Sequence, residues 1–352
     1  MRIAILNDTH CGIRNSSDIF IEYQRRFYEE IFFPYLLEND IKTILHLGDY
    51  YENRSAINFK ALSANREHFL DKLREYQIHM DIIPGNHDVY YKSTNELCAL
   101  KELQGHYMNE VNIVMNPRVM DYAGLKIALV PWMNRENEEE SLKFIKNCKA
   151  DVLGAHLEVS GFDMYRGMPC HDGMDPGLFA NFETVLSGHF HTKSHRGNIH
   201  YLGAQMEFFW NDVDDKKYFH VLDTETRKLE QVQNPLRIFE KIYYNDKDGE
   251  PTIDYPSLDG KFVRVVVEHK QDHFTFNQII DKIQQRDIHQ LKISENLSEF
   301  VGESVADSDV SVQDTETLLS SYVDAVDTEL NKDLIKSELM SLLNESQTME
   351  IL

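Results

Sequence analysis

The stretch MDIIPGNHD, Met80–Asp88, decides how the rest of the chain is read. Met80–Ile83 is a short apolar run with strand character, and it breaks off into Gly-Asn-His-Asp. Glycine has no Cβ, so the backbone can turn from the strand straight into polar side chains. At roughly one-twentieth per residue, a given tetrapeptide occurs by chance in about one chain in five hundred of this length. The pattern recurs on both sides of it. Arg2–Asn7 leads into Asp8-Thr9-His10, and Lys42–Leu47 into Gly48-Asp49. Asp151–Gly154 leads into His156, and Thr184–Leu186 into Gly188-His189-Phe190-His191. Each cluster alone is a weak signal; five in order, each after a strand, are not a coincidence.

Helical patterns separate these strands, near Ile19–Leu37, Phe59–Tyr76, Ser93–Leu103 and Asn137–Cys148, and a further strand is expected at Lys126–Val130. Such alternation predicts an α/β fold, a largely parallel sheet with helices on both faces. Ligands bind such sheets at the carboxyl ends of the strands, so all five clusters are expected on one rim. After His191 the pattern turns to strands, near Ile199–Leu202 and Tyr218–Leu222. Phe262–Glu268, a helix at Phe274–Gln285 and Ile288–Ile293 then read as a small βαβ lobe.

The rim would carry carboxylates, imidazoles and one carboxamide, with no sulfur. That donor set suits Mn²⁺, Fe²⁺, Mg²⁺ or Zn²⁺. The number of ligands allows two divalent ions bridged by an aspartate, an arrangement that binds a phosphoryl oxygen and activates water for in-line attack.

Composition bounds the alternatives. The 352 residues suggest about two domains at ~150 residues each. The charged fraction of 27% and the apolar fraction of 42% are ordinary for globular chains. No apolar run approaches the ~18 residues of a membrane span, and the N-terminus lacks a signal-peptide layout, so no membrane partner and a cytoplasmic location are expected. Cys11, Cys98, Cys148 and Cys170 form no CxxC pair and read as reduced thiols. The net charge of −23 argues mildly against nucleic acid. That acid is unevenly placed, with 14 acidic and 2 basic residues from Ser294 onward. Ser294–Thr315 reads as a solvated linker. Beyond it, Leu318, Leu319, Tyr322, Val323 and Val326, then Leu334, Ile335, Leu339, Leu342 and Leu343, recur at helical spacing.

These blocks resemble those of the calcineurin-like metallophosphoesterase superfamily. Their order and the segment LVPWMNREN, Leu129–Asn137, resemble the SbcD-type, meiotic-recombination-type DNA repair nucleases, the phage recombination nucleases among them. The resemblance implies a metallophosphoesterase sandwich, mixed sheets flanked by helices, with a small α+β capping domain. It implies a nuclease domain at 1–233, a capping, DNA-binding domain at 234–293, an acidic linker at 294–315 and a helical ATPase-binding module at 316–352. Asp8, His10, Asp49 and His191 would hold one metal, and Asp49, Asn86, His156 and His189 the other, most simply Mn²⁺. His87 would act on the scissile phosphate and protonate the leaving 3′ oxygen. Asp88, the second catalytic candidate, would orient His87 or else cap its loop. Glu52 stands where related nucleases commonly carry Asp or His.

The resemblance further implies 3′-to-5′ exonuclease and single-strand endonuclease activity, homodimerisation, and a partner, an SbcC-type ABC ATPase with a coiled coil. This chain has no GxxxxGK[ST] loop, so ATP dependence would come from that partner. Arg14, Arg54, Lys92, Arg166, Lys193 and Arg196 follow the five blocks and are candidate DNA-phosphate contacts, and Tyr90 and Tyr91 could stack on bases or wall the site. Two divalent ions would add positive charge locally, so the net acidity does not exclude DNA. The same superfamily also contains phosphatases and cyclic-nucleotide phosphodiesterases. Protein phosphatases carry GDxxDRG where this chain has GDYYENR (Gly48–Arg54), with its arginine one position later. A metal-binding scaffold without catalysis would be expected to lack a ligand or the histidine, and none is missing here.

Overall fold

The computed structural model describes residues 1–295, apart from Arg166, Gly167, Asp172, Asp248 and Glu250, together with Lys332 and Lys336. Contacts divide the chain into two units, Met1–Leu297 and Ser298–Leu352. The expected helical module at 316–352 lies outside the described residues, except for Lys332 and Lys336, which are helical, and so does the expected linker from 296 onward.

The first unit is built on two six-stranded sheets, not on one open sheet. In the first, β1 (Arg2–Leu6), β2 (Thr43–His46), β3 (His79–Ile82) and β4 (Val111–Ile113) run parallel. In the second, β5 (Arg118–Tyr122) pairs antiparallel with β6 (Leu125–Val130), which runs parallel to β7 (Val152–His156). A small hairpin of β8 (Asp163–Tyr165) and β9 (Met168–Pro169) precedes β10 (Thr184–Gly188), which lies parallel to β7. Beyond β10 lie β12 (Ile199–Tyr201) and the edge strand β11 (Ser194–Arg196). The chain then returns to the first sheet as β13 (Tyr218–Asp223), antiparallel to β1, and β14 (Leu229–Gln233).

Strand alternation shows how the sheets pack. Ile3 and Ile5 of β1, Leu45 of β2, Ile127 and Leu129 of β6 and Leu186 of β10 form one core with no solvent exposure. Their neighbours Ala4 and Leu6 belong to a second core, with Phe27, Phe32 and Phe69 of the helices. Ala128 and Val130 belong to a third, with Leu153 and Ala155. Each sheet is therefore buried on both faces. That is why these strands read as unbroken apolar runs. The sandwich implied by resemblance is what the structure has, and the single open sheet inferred from alternation is corrected to two.

The first two helical patterns are continuous but widen in the middle. Asp18–Arg26 passes through a π-helical Phe27–Phe32 into Phe33–Glu38, and Phe59–Asn65 passes through Arg66–Leu70 into Asp71–Glu75. The widened turns hold an aromatic slab, with Phe69 4.8 Å from Tyr28 and 5.7 Å from Phe33 between ring centroids. The helix expected at Ser93–Leu103 spans only Ala99–Leu103. The backbone of Cys98 is extended and bridges Val89, and the Asn95 side chain donates to the Trp132 carbonyl, so 93–98 is spent on tertiary contacts.

The expected βαβ lobe has one strand more than the sequence showed. β15 (Phe239–Asn245), β16 (Phe262–His269) and β17 (Gln290–Glu295) form a parallel sheet around the helix His273–Gln284. It packs on the sandwich's helices through Phe20, whose ring is 5.9 Å from Phe262. Cys11, Cys98, Cys148 and Cys170 are free thiols, and no helix among the described residues is long and apolar enough to cross a membrane.

Phe69 is fully buried in the aromatic slab. Phe69→Ala is expected to cost about 3–5 kcal/mol of folding free energy. Urea unfolding followed by circular dichroism checks this, and a loss below about 1 kcal/mol would mean that the slab collapses to fill the hole.

Candidate metal centre

The five polar clusters sit at the carboxyl ends of β1, β2 and β3 in one sheet and β7 and β10 in the other. Backbone bonds bind their turns together. Asp8 N donates to Gly48 O at 2.9 Å and His10 N to Asp49 O at 3.1 Å. The Asp8 carboxylate accepts from His189 N at 3.0 Å, tying the first turn to the last across the sandwich. Glycines allow this closeness. A Cβ on Gly85 would fall 2.4 Å from Asp49 N, and one on Gly48 (φ +90°) 2.7 Å from His156 Nδ1. Four of the expected ligands themselves have left-handed backbones: Asp8 (φ 47°), His10 (46°), Asp49 (54°) and His189 (86°). Such positions cost of order 1–3 kcal/mol each and are held only where the surroundings over-determine them.

Three groups of potential ligand atoms result among the described residues: Asp8 with His10 and His191, Asp49 with His156 and His189, and His10 with Glu52 and His87. In the first, His10 Nε2 and His191 Nε2 stand 3.0 Å apart, and Asp8 Oδ1 is 3.9 Å from His10 Nε2. Two imidazole nitrogens that close must share a proton or a cation. In the second, His156 Nδ1 faces the Leu47 carbonyl at 2.8 Å. A carbonyl only accepts, so Nδ1 carries a hydrogen, and Nε2 is aimed at Asn86 Oδ1 (3.0 Å) and Asp49 Oδ2 (3.2 Å), two acceptors that call for a proton or a cation there. These lone-pair sets, all oxygen and nitrogen, fit divalent cations well.

The electrostatics express the same excess of acceptors. Burial works to lower the basicity of His10, but Glu52, Asp49 and Asp8 outweigh it and raise the pKa to about 9. For His156, burial is likewise overcome by Asp49 and Asp8, again giving about 9. His191 moves the other way, well below the usual range, through burial and the charges of His10 and Lys217. Burial opposes ionisation of Asp49, but His156, His87 and His10 hold its carboxyl well below the ordinary value.

His87 stands at the junction. Its Nδ1 donates to the Glu52 carbonyl at 2.6 Å, its backbone N to Asp49 Oδ1 at 2.9 Å, and its ring lies edge-on to His10 with centroids 5.0 Å apart. Nε2 is therefore the atom left for chemistry. Asp88 does not orient it. The Asp88 carboxylate is buried and accepts from the backbone N–H groups of Tyr50, Tyr51 and Gly85, so it caps the loops. The Glu52 carboxylate turns to His10 instead, with Oε2 2.7 Å from Nδ1, an ion pair when His10 is protonated.

The basic candidates are scattered in role. Arg14 donates to the Phe208 carbonyl and lies 4.9 Å over Phe209, whose ring stacks on His191. Arg54, with Tyr51, Tyr90 and Leu97, lines a cavity of about 320 Å³, and Lys92 is exposed. Lys193 bonds Gln231 and lies over Tyr218, while Arg196 lies over Phe162. Arg166 lies outside the described residues.

Three side chains at the centre escaped the sequence reading. Trp132 packs against His156 and His189, with centroids 5.9 and 5.4 Å away. Lys217, buried against Asp212 and Asp215, donates to the His191 carbonyl at 3.2 Å. Glu158 Oε1 lies 2.9 Å from His189 Nε2. Two of them left a trace in the sequence: Trp132 lies within the quoted segment Leu129–Asn137, and Glu158 stands two residues after His156, the spacing that returns an extended chain to the same face.

A family model described as calcineurin-like phosphoesterase matches residues 1–193. Exonuclease subunit 1 of Enterobacteria phage T4 is 32% identical over 327 residues, which cover 93% of this chain and 93% of that protein. SbcD, from the SbcCD nuclease of Staphylococcus epidermidis, is 26% identical over 146 residues, 39% of this chain and 37% of that one.

Because His10 and His156 hold protons up to about pH 9, cations must displace those protons. Mn²⁺ affinity is expected to rise with pH and level off above about 9. Calorimetry in buffers of different ionisation enthalpy would read proton release below that pH; binding with no buffer dependence at pH 7 would refute the assignment.

Proposed function

From the premise that this chain belongs to the calcineurin-like phosphoesterase family, we infer that it is a metal-dependent nuclease, a phosphodiesterase that cuts DNA. The observation that carries the reading is the pair of acceptor groups on one rim, with the backbone N of His87 bonded to Asp49 of the second. Asp8, His10, Asp49 and His191 would hold one divalent ion, and Asp49, Asn86, His156 and His189 the other, Mn²⁺ in our reading. When bound, the ions supply Lewis acidity at the phosphate and a nucleophile drawn from water at neutral pH.

The chain's own groups do the rest. The Glu52 carbonyl holds His87 in one orientation, so that Nε2 can bond the phosphate and pass a proton to the departing 3′ oxygen. Trp132 walls the second group and limits how His156 and His189 turn. Arg14, Arg54, Lys92, Arg166, Lys193 and Arg196 are proposed to meet DNA phosphates, contacts that position a strand without reading its sequence. Asp88 serves this chemistry indirectly, by capping the loops that carry Asp49 and His87.

The T4 and staphylococcal relatives are named as subunits, which supports a partner protein for this chain. We propose the catalytic subunit of an SbcCD-type recombination and double-strand-break repair complex, acting as a 3′-to-5′ exonuclease on duplex ends and as a single-strand endonuclease. Residues 1–233 would form its nuclease domain and 234–293 its capping, DNA-binding domain. The 294–315 linker would tether 316–352 to the coiled coil of an ABC ATPase. We further propose a homodimer working in the cytoplasm, that of the host if the gene belongs to a phage.

Digestion of an end-labelled duplex with Mn²⁺ tests the activity, with a phosphomonoester run in parallel. His87→Ala is expected to slow cleavage by about 10²–10⁴-fold, the usual worth of a general acid. The variant should still bind Mn²⁺, because the groups Asp8, His10, His191 and Asp49, His156, His189 are left intact. Wild-type cleavage by the variant would remove His87 from the mechanism, and monoester turnover with intact DNA would overturn the nuclease reading. Removing residues 316–352 is expected to abolish co-purification with the co-expressed ATPase while leaving Mn²⁺-dependent cleavage; unchanged co-purification would refute the docking role.

A further inference from the structure

We propose that Glu158 is a positioning residue that fixes the tautomer of His189 and so selects Nδ1 as the atom this histidine offers to a cation. The proposal rests on the two-metal reading above and adds a residue to it.

The rim holds its histidines by different means. For His156 the Leu47 carbonyl accepts from Nδ1 and leaves Nε2 to the centre. For His189 the situation is inverted. Its Nε2 lies 2.9 Å from Glu158 Oε1, and an ionised carboxylate has acceptors only. The hydrogen of a neutral His189 ring therefore sits on Nε2, and the lone pair is left on Nδ1. Two imidazoles of one ligand group, with centroids 5.0 Å apart, are thus held in opposite tautomers.

His189 needs such a device more than the others do. Its backbone is left-handed at φ 86°, and its N–H is bonded to Asp8. Its ring lies against Trp132 on one side and Phe190, 5.2 Å away, on another. Those contacts set where the ring is and how far it can swing, but an apolar contact cannot tell Nδ1 from Nε2. Among the hydrogen bonds of the described residues, the contact that distinguishes the two nitrogens comes from Glu158. The side chain of Glu158 is half exposed, at 51%. Its backbone is held separately, because its carbonyl accepts from Met174 N at 2.8 Å. Removing the carboxylate should therefore leave the loop and the fold in place. Outer carboxylates of this kind typically contribute about 10–100-fold to metal affinity.

The test compares the full-length wild type with Glu158→Gln and Glu158→Leu. Glutamine keeps an oxygen that accepts from Nε2–H, and leucine keeps the bulk without an acceptor. Mn²⁺ calorimetry is expected to show two sites in the wild type, one of them weakened about 10–100-fold by leucine and about 3-fold or less by glutamine. Nitrogen-15 NMR of the metal-free proteins should show His189 with its hydrogen on Nε2 in the wild type and in Glu158→Gln, and a mixture in Glu158→Leu. A purely structural role would lower the melting temperature of both variants without changing the tautomer, and would overturn the proposal. Wild-type Mn²⁺ binding by Glu158→Leu would also overturn it. So would an equal loss in both variants, which would make Glu158 a ligand itself. A wild type that fails to bind two ions would instead sink the two-metal reading, and that result appears before any substitution is made.

Discussion

Nitrogen and oxygen atoms that need a shared proton or cation crowd together at the rim of the two sheets, and much of the structure follows from that. His10 Nε2 meets His191 Nε2 at 3.0 Å, and His156 Nε2 meets Asp49 and Asn86. Left to themselves these groups would repel or turn away to water. They are kept together by backbone bonds between turns, by buried caps and by glycines that admit close approach. The left-handed backbones at Asp8, His10, Asp49 and His189 are part of the same cost. A divalent cation could take the place of a shared proton in each group, which fits the arrangement to a metal centre.

The sandwich supplies the rigidity this demands. Side chains that alternate between the inter-sheet core and the helical layers leave β1, β2, β7 and β10 little freedom to slip. A register shift of one residue in β1 would exchange Ile3 and Ile5 for Ala4 and Leu6 and carry Asp8 off the rim. The caps add local control. Burial of Asp88 is unfavourable, its pKa raised to about 6 by desolvation and by Asp49, but it satisfies three backbone N–H groups at the base of the site.

Net acidity and a DNA substrate are compatible because the charge is not uniform. From Ser294 onward the chain carries 14 acidic and 2 basic residues, which accounts for about half of the net −23. Fields are decided locally, by the cations and by whichever basic side chains border the cleft. Several of the basic residues after the five blocks are packed on aromatic rings, Arg14 on Phe209, Lys193 on Tyr218 and Arg196 on Phe162. Their charges are thereby held in fixed places at little loss of rotamer freedom on binding.

The candidate ligands and their order were legible in the sequence, because each follows a strand directly and glycine marks most of the turns. Asp8, His10, Asp49, Asn86, His87, His156, His189 and His191 were all legible in that way, and so were most of the strands. The sequence did not reveal the strands β4, β5, β8, β9, β11, β14 and β15, which are too short, too exposed or too irregular in their alternation to stand out. Nor did it divide the strands between two sheets, since apolar runs look alike whichever neighbour covers them. Only the tertiary structure decided what stands behind the ligands. The Glu52 carboxylate stands against His10, while His87 is held by the Glu52 backbone carbonyl, and every residue has one of those. Asp88 sits next to His87 in sequence and caps other loops in space. Glu158 reaches His189 across 31 residues, and Lys217 reaches the His191 carbonyl across 26. Ligand identity is a property of side-chain chemistry and is written locally. Ligand orientation depends on hydrogen bonds between distant segments, which exist only once the two sheets have closed on one another.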